Sequence, residues 1–573
     1  MDYEEGIPIV DEDVQVLLEE CDDPLNYSGS ESECDSESSV LDDIAVADAV
    51  MEHAIADDED NFEVFNWETM DNYVSLRENF TEISGPQDRA RNTVDIVECF
   101  ELFFDRDLVN IIVKETNRYA EKHISERGSI LPSLTRSHRR SWQPVDENEI
   151  YVLFGLYVLM GIVRKPTIKL YFSKKRVIST PGFSDMMSRE RFELLNRYLH
   201  FVDNERRADF DGPTKLFKIF PILSRLNRNF QSQYIPDRNI AINESMPLWK
   251  GRLSFRQYLP LKASKFGIKT FELCESESGY LWSVLVYTGK DTAIKSPYVK
   301  SYTSKRATVV MKLVEPLLGK GYTLWMDNFY NSPSLACLLK NHSTDCVGTL
   351  KLSRKDVPKV LKEKKLKKGE TTARHAGPVS IIKWHDKKVV TMISTYHKED
   401  KKLVISRGRQ TEKPVCVLDY NKYMGVIDLE DQMLQPYSLD RKCMQKWYIK
   451  LFRRLLNIAV INSFIIYKKN IRKPMDLLSF TVQLVEDLFL KYAVERGGNV
   501  GGRQASDNNV PRLTERHFIR KVKPKGTKSR PQRRCVVCSK HGKRKDTVYC
   551  CSECDVGLCL AECFETYHTK LNY

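Results

Sequence analysis

The chain has 573 residues, 42% of them hydrophobic and 29% charged, with a formal net charge of +11. That length exceeds one ordinary domain, and the apolar fraction excludes a chain that is disordered throughout. Residues 1–60 hold 22 Asp and Glu and no Lys or Arg, so the rest carries +33; such a body draws polyanions through counterion release, or else carries a solvated lysine-rich surface.

The first segment, residues 1–85, is acidic and lacks apolar periodicity, and its run from Ser28 to Ser39 cannot bury enough surface to offset ordering entropy. It reads as a disordered tail, either a passive solubiliser or a substrate for an acidophilic kinase. Its opening, Met-Asp-Tyr-Glu-Glu, has neither the basic nor the apolar region of a secretory signal.

From 86 to 236 the pattern is helical. Val94–Phe104 and Leu108–Tyr119 place apolar residues at i, i+3 and i+4, and Arg189–Phe201, with Ser188 as its expected N-cap, and Thr214–Phe230 follow. The apolar run 151–163 is too short to cross about 30 Å of hydrocarbon and reads as a core helix, so no membrane span is expected.

Between 237 and 351 the period changes. Asn239-Ile-Ala-Ile, Gly267–Cys274 and Tyr280–Tyr287 are strand-like; a helix at 307–318, a strand at 322–326, a helix at 334–341 and a strand from 345 complete the order of an RNase H-like α/β core. Residues 352–415, with a lysine run at 359–368 and a β-rich stretch at 379–395, read as an insertion. Helices expected at 426–433 and 447–467 then complete the core (416–435) and the helical unit (436–495). Residues 496–534, rich in Gly, Pro, Lys and Arg, read as a linker whose basic run 521–534 also fits a nuclear-import signal.

Of the 15 cysteines, seven lie between Cys535 and Cys563. With no export signal, a reducing compartment is expected, and the cluster points to metal. The spacing Cys535-x2-Cys538-x12-Cys551-x2-Cys554-x4-Cys559-x3-Cys563-x4-His568 suits tetrahedral Zn²⁺, and residues 535–573 have too little core to fold without such a staple. In a cross-brace, Cys535, Cys538, Cys559 and Cys563 hold one ion, while Cys551, Cys554 and His568 hold a second that lacks a fourth ligand; His541, Cys550 or water are the candidates.

Three acidic residues stand where phosphodiester chemistry needs them. Asp327 ends an expected strand, and Asp428 and Asp431 lie at i and i+3 on one expected helix face. Two divalent ions about 4 Å apart require carboxylates converging from separate elements. By spacing alone, the same residues also fit a strand-end Asp and two solvated helix residues.

The motifs Phe100-Glu-Leu-Phe-Phe104, Ser188-Arg-Glu-Arg-Phe192, Tyr198-Leu-His-Phe-Val-Asp-Asn204, Lys265-Phe-Gly-Ile-Lys269, Trp325-Met-Asp-Asn-Phe329 and Asp428-Leu-Glu-Asp-Gln-Met433 resemble those of the piggyBac transposase family over about residues 95–570. The ending Cys563–Thr569 resembles the domesticated, transposable-element-derived branch. The resemblance implies that the helical unit serves dimerisation and DNA binding and that Asp327, Asp428 and Asp431 are catalytic carboxylates binding Mg²⁺. It also implies that the family's first Asp falls in Ile242-Asn243-Glu244, where this chain has asparagine.

An amide oxygen carries no formal charge, and a carboxylate 4 Å from a unit cation is worth roughly 4 kcal/mol gross at an effective dielectric of about 20. Impaired strand cleavage is therefore expected, and Glu244, on the other face of the strand, is not expected to substitute. By the same resemblance, Lys250, Arg252, Arg256, Lys265 and Lys269 are expected to track duplex DNA, the protein to be a nuclear homodimer, and the cysteine-rich unit to bind zinc and DNA. An active cut-and-paste transposase, or a RING-like or histone-tail-reading module at the C-terminus, are the competing readings.

Overall fold

The computed structural model describes residues 65–74, 76–130, 142–259, 265–289, 292, 294–300, 303–406, 409–425, 433–434, 436–439, 446–471, 475–493, 516–523 and 531–570. The chain divides into two compact units, one ending at Ala493 and the other beginning at Val494.

The first unit starts with helices whose caps are written in the sequence. Helix α1, Ile96–Glu101, follows Asp95, whose carboxylate accepts from the Glu98 N–H. Helix α2 spans Arg106–Ile130, well past the expected end at Tyr119. Asp146 caps α3, Glu147–Ile162, through the Glu149 N–H, and Ser188 caps α4, Arg189–Tyr198, through the Arg191 N–H. The apolar run in α3 is buried nearly all round, as a core helix must be. Helix α5, Phe220–Gln233, leads into the sheet.

Strands β1 (Asn239–Ser245), β2 (Thr270–Glu275) and β3 (Leu281–Val286) form an antiparallel meander. Helix α6, Lys305–Val314, precedes β4, Thr323–Met326, and α7, Pro333–Asn341, precedes β5, Asp345–Thr349. Both strands join in parallel, β4 on β1 and β5 on β4, which is the RNase H-like arrangement expected.

The lysine-rich insertion does not stand apart from this sheet. Its strands β6 (Thr371–Ala376), β7 (Val379–His385) and β8 (Val389–Ser394) continue it beyond β5, giving the order β6-β7-β8-β5-β4-β1-β2-β3. A separate hairpin, β9 (Lys401–Ser406) with β10 (Arg409–Pro414), leads into α8, Val415–Met424. The helix expected at 426–433 falls almost wholly outside the described residues.

Helix α9, Trp447–Ile471, is the spine of the unit, with Tyr448 through Ile466 largely buried. Its Asn462 amide both accepts from the Leu281 N–H and donates to the Leu281 carbonyl, so helix and sheet are joined by a side chain that replaces a missing strand neighbour. Helix α10, Leu477–Tyr492, packs on α3 and α1. Residues 65–85, assigned by composition to the acidic tail, instead run across the sheet. Tyr73 is buried, Arg77 donates to Asn239 and Thr323, and the Glu78 N–H donates to Asp345. Their charges are used locally, which a count of charge per segment does not reveal.

In the second unit, β11 (Ile519–Lys521) pairs with β12 (Tyr549–Cys551), which pairs with β13 (Val556–Gly557). Helices α11, Val536–Lys540, and α12, Cys563–Thr569, carry Cys538 and Cys563. No described helix is long and apolar enough to cross a membrane.

Candidate active site and metal clusters

The parallel register pairs Ile242 with Met326, so the next residues along the two strands, Asn243 and Asp327, stand side by side at the C-terminal edge of the sheet. They share a face with Ala241 and Trp325, because side chains alternate along a strand. Helix α8 covers that face: Tyr420, Tyr423 and Met424 pack on Ala241, Trp325 and Val347, with Tyr423 stacked on Trp325 at 4.9 Å. Asn243 and Asp327 are half-buried at the margin of this cover. Burial pushes the Tyr420 phenol up to about 12, and the Asp327 carboxylate adds to the rise.

Close packing fixes the ground around Asp327. Its Oδ1 accepts from the Phe329 N–H at 2.9 Å, which shapes the turn after β4. Asn331 then donates to the carbonyls of Met326, Asp327 and Thr349, knitting the ends of β4 and β5 together. Gly348 permits this: a Cβ there would lie 1.8 Å from the Met326 carbonyl oxygen and 2.3 Å from Asn331 Nδ2.

Glu244 points to the other face and is held by Lys269, at 2.6 Å. The Lys269 ammonium also lies 4.4 Å from the Phe329 ring and 5.0 Å from that of Phe271. Lys269 is thus buried in an ion pair and an aromatic cage. Of the other basic residues singled out, Lys250, Arg252 and Lys265 are exposed on the loop after β1. Arg256 donates to the carbonyls of Lys250 and Gly251 at 3.0 and 3.3 Å and lies over Phe266, so it shapes that loop. Asp428 and Asp431 lie outside the described residues.

Two charged neighbours of the site escaped the sequence reading. Glu272 is the direct cross-strand partner of Asn243 on β2 and is 4% exposed. It accepts from Thr270 at 2.9 Å and faces Arg454 of α9 at 3.7 Å, while Arg454 donates to Ser245 at 3.0 Å. Period-two alternation puts Thr270 and Glu272 on one face, but which strand lies opposite is a matter of register, and that was not legible.

The second unit brings its sulfurs and imidazoles into two clusters, Cys535 with Cys538, Cys559 and Cys563, and His517 with Cys551, Cys554 and His568; the ligand atoms of each lie within 4.8 Å of one another. Tetrahedral zinc with bonds of about 2.3 Å to sulfur and 2.0 Å to nitrogen sets sulfurs about 3.8 Å apart, and sulfur and nitrogen about 3.5 Å apart. Cys538 lies 3.9 Å from Cys559 and 3.6 Å from Cys563. His517 Nδ1 lies 3.5 and 3.4 Å from the Cys551 and Cys554 sulfurs, and His568 Nε2 lies 3.6 Å from Cys554. The donor sets therefore fit zinc.

Phe564 O, 2.8 Å from His568 Nδ1, accepts a hydrogen bond from that nitrogen, which leaves Nε2 free to ligate. His517 is the fourth member of the second cluster, where the sequence left a position open. Neither His541, which is exposed, nor Cys550, which is buried, joins a cluster. His517 was overlooked because it precedes Cys535 by 18 residues, inside a segment that composition marks as linker.

A family model described as Transposase IS4 matches residues 95–464, and a DDE_Tnp_1-like zinc finger matches residues 513–569. PiggyBac transposable element-derived protein 3 of Homo sapiens is 26% identical over 491 residues, covering 82% of this chain and 76% of that protein. PiggyBac transposable element-derived protein 2 of Homo sapiens is 26% identical over 413 residues, covering 69% of this chain and 65% of the relative. The cryo-EM structure of a piggyBac transposase synaptic complex with hairpin DNA superposes with a TM-score of 0.65 at 25% identity, over 84% of this chain and 100% of that one.

Proposed function

The chain belongs to the piggyBac transposase family, and on that premise we propose that it is a nuclear, duplex-DNA-binding protein whose metal-dependent strand cleavage is impaired. The single observation that carries this reading is Asn243 standing beside Asp327 in adjacent parallel strands. The position that the family fills with a carboxylate has kept its place and lost its charge. Its neighbour Glu244 is engaged by Lys269 and faces away, and Glu272 is engaged by Thr270 and Arg454.

Mg²⁺ in the core would be held by Asp327 together with Asp428 and Asp431, and would stabilise charge at a phosphodiester. With Asn243 in the set, the ligands offer one negative charge fewer to a pair of dications. DNA binding does not depend on that charge. The basic body, the exposed Lys250, Arg252 and Lys265, and the zinc-finger unit with its exposed run Lys540 to Lys545 support it. A homodimer and phosphorylation of the serine-rich tail belong to the same reading, on family resemblance and on composition respectively.

The test uses the full chain and labelled duplexes carrying the ends of a piggyBac-type element, with Mg²⁺ or Mn²⁺. Binding without cleavage is expected, and Asn243→Asp should raise cleavage on the order of 100-fold, equivalent to about 2.7 kcal/mol of barrier. Cleavage by the unaltered chain at the level of Asn243→Asp overturns the impaired reading. Failure to bind any duplex, with binding of a histone tail by the C-terminal unit, overturns the DNA-binding reading.

A further inference from the structure

Lys269 is 7% exposed, too buried to meet a phosphate, and its ammonium is divided between two tasks. It neutralises Glu244 at 2.6 Å, and it lies 4.4 Å from the centre of the Phe329 ring. Arg306, in the first turn of α6, brings a second cation over the same ring at 5.7 Å. An aromatic face attracts cations through its quadrupole, and the attraction grows as water is removed. The ring of Phe329, half-buried against the core, is therefore held in place by charge as well as by packing.

What that ring holds is a backbone N–H. Phe329 is the residue whose N–H donates to Asp327 Oδ1 at 2.9 Å. A carboxylate bonded to the N–H two residues on forms a turn of its own, so the carboxylate is oriented by wherever Phe329 is set. The rest of the turn is fastened through its carbonyls: Arg354 donates to those of Asn328 and Phe329, and Asn331 to that of Asp327. None of these carbonyl bonds reaches the carboxylate.

Stability does not account for an ion pair at this depth. Buried pairs seldom gain over apolar residues of equal volume, and their best-attested use is to select one arrangement among several. The arrangement selected here is a path that starts at Glu244, next to the position that the family fills with a carboxylate. It passes through Lys269 and the Phe329 ring and ends at the carboxylate that remains, Asp327.

We propose that Phe329, with Lys269 and Arg306 over its ring, is a positioning residue that aims the Asp327 carboxylate at the cation site of the active edge. The inference rests on the reading of Asp327 as a metal ligand. It replaces the phosphate contact expected of Lys269 with an indirect role, exerted on the carboxylate through a ring and an N–H.

The test uses the full chain carrying Asn243→Asp, so that the site has its charge. Mn²⁺ affinity is read from the electron spin resonance of the free ion, and the melting temperature of the metal-free protein is measured alongside. Phe329→Leu keeps the N–H and removes the ring, and should weaken Mn²⁺ binding about 3–10-fold. Glu244→Gln/Lys269→Met keeps the ring and leaves neither member of the pair charged. It should weaken Mn²⁺ binding about 2–5-fold, with the melting temperature unchanged or raised. Leu488→Ala, in the buried face of α10, should lower the melting temperature and leave Mn²⁺ affinity as it was. If either the ring variant or the ion-pair variant binds Mn²⁺ as its parent does, the positioning role is wrong while the metal reading stands. If Leu488→Ala loses as much affinity as they do, the loss is one of stability and the role is equally wrong. A fall of about 0.9 in the salt slope of duplex binding for Glu244→Gln/Lys269→Met makes Lys269 a phosphate contact and overturns it too. If the Asn243→Asp chain takes up no Mn²⁺, the inference falls together with the metal reading.

Discussion

The Cys/His clusters of the second unit and the Asn243–Asp327 pair of the first both gather ligands from distant segments, yet they relate to their surroundings in opposite ways. Around the clusters the buried apolar side chains are few, chiefly Val537, Leu558 and Tyr567, and the cysteines themselves make up much of what is buried. Around Asn243 lies a hydrophobic core running from α1 through the sheet to α10. In the first case the ligands are the fold, so none can be lost without losing the structure. In the second the scaffold rests on apolar burial and backbone pairing, so a ligand's charge can disappear while its position remains. That difference explains how a transposase-family core can carry an asparagine at position 243 without losing its fold.

The contrast can be broken most severely at the clusters. Chelation, or Cys538→Ser, should unfold residues 516–570 and leave 65–493 intact, because structural zinc supplies about 10–16 kcal/mol of apparent folding energy in peptides of this size; amide exchange read separately over the two regions checks it. His517→Ala should reduce bound zinc from two ions per chain towards none, measured by elemental analysis, whereas His541→Ala should not.

Within the first unit the largest loss should come from Arg454→Met. It removes the Arg454 guanidinium that faces the buried Glu272 carboxylate, and removing one partner of a buried pair costs about 3–5 kcal/mol. Glu272→Gln in the same background should recover part of it. Gly348→Ala should cost about 1–3 kcal/mol by overpacking, because the new methyl meets the Met326 carbonyl oxygen; urea denaturation measures both. The smallest expected effect is the sharpest comparison. Asn243→Asp sets two carboxylates side by side and should destabilise the metal-free chain by about 1 kcal/mol, with Mg²⁺ reversing the change. Mg²⁺ should not shift the melting of the unaltered chain.

Much of the first unit was legible because its signals are local. Asp95, Asp146 and Ser188 announce their helices by capping chemistry, and Ile240, Ile242, Leu324 and Met326 alternate as strands with one face in the core. Non-local facts were not legible. No period in the sequence states that β8 joins β5, that Glu272 lies opposite Asn243, or that α8 covers Trp325, since each is a choice of strand neighbour or helix docking. The extension of α2 to Ile130 was hidden by the polar residues after Tyr119, among which only Ala120 and Ile124 turn inward, against Leu194 and Tyr198. His517 was the hardest to see, since a single imidazole without a nearby partner carries no spacing signal.

The order of ligands along the second unit has a kinetic and regulatory corollary. Cys538 and Cys559, in contact, are 21 positions apart and bracket Cys551 and Cys554, while His517 and Cys551, in contact, are 34 positions apart and bracket Cys535 and Cys538. Each ion thus shortens the chain over which the other's ligands must find one another, and neither loop can be released without loosening the second. Two ions bound this way load and leave nearly together. The unit should respond to the free zinc concentration as a threshold and not as a gradient, exchanging slowly with cellular chelators once filled.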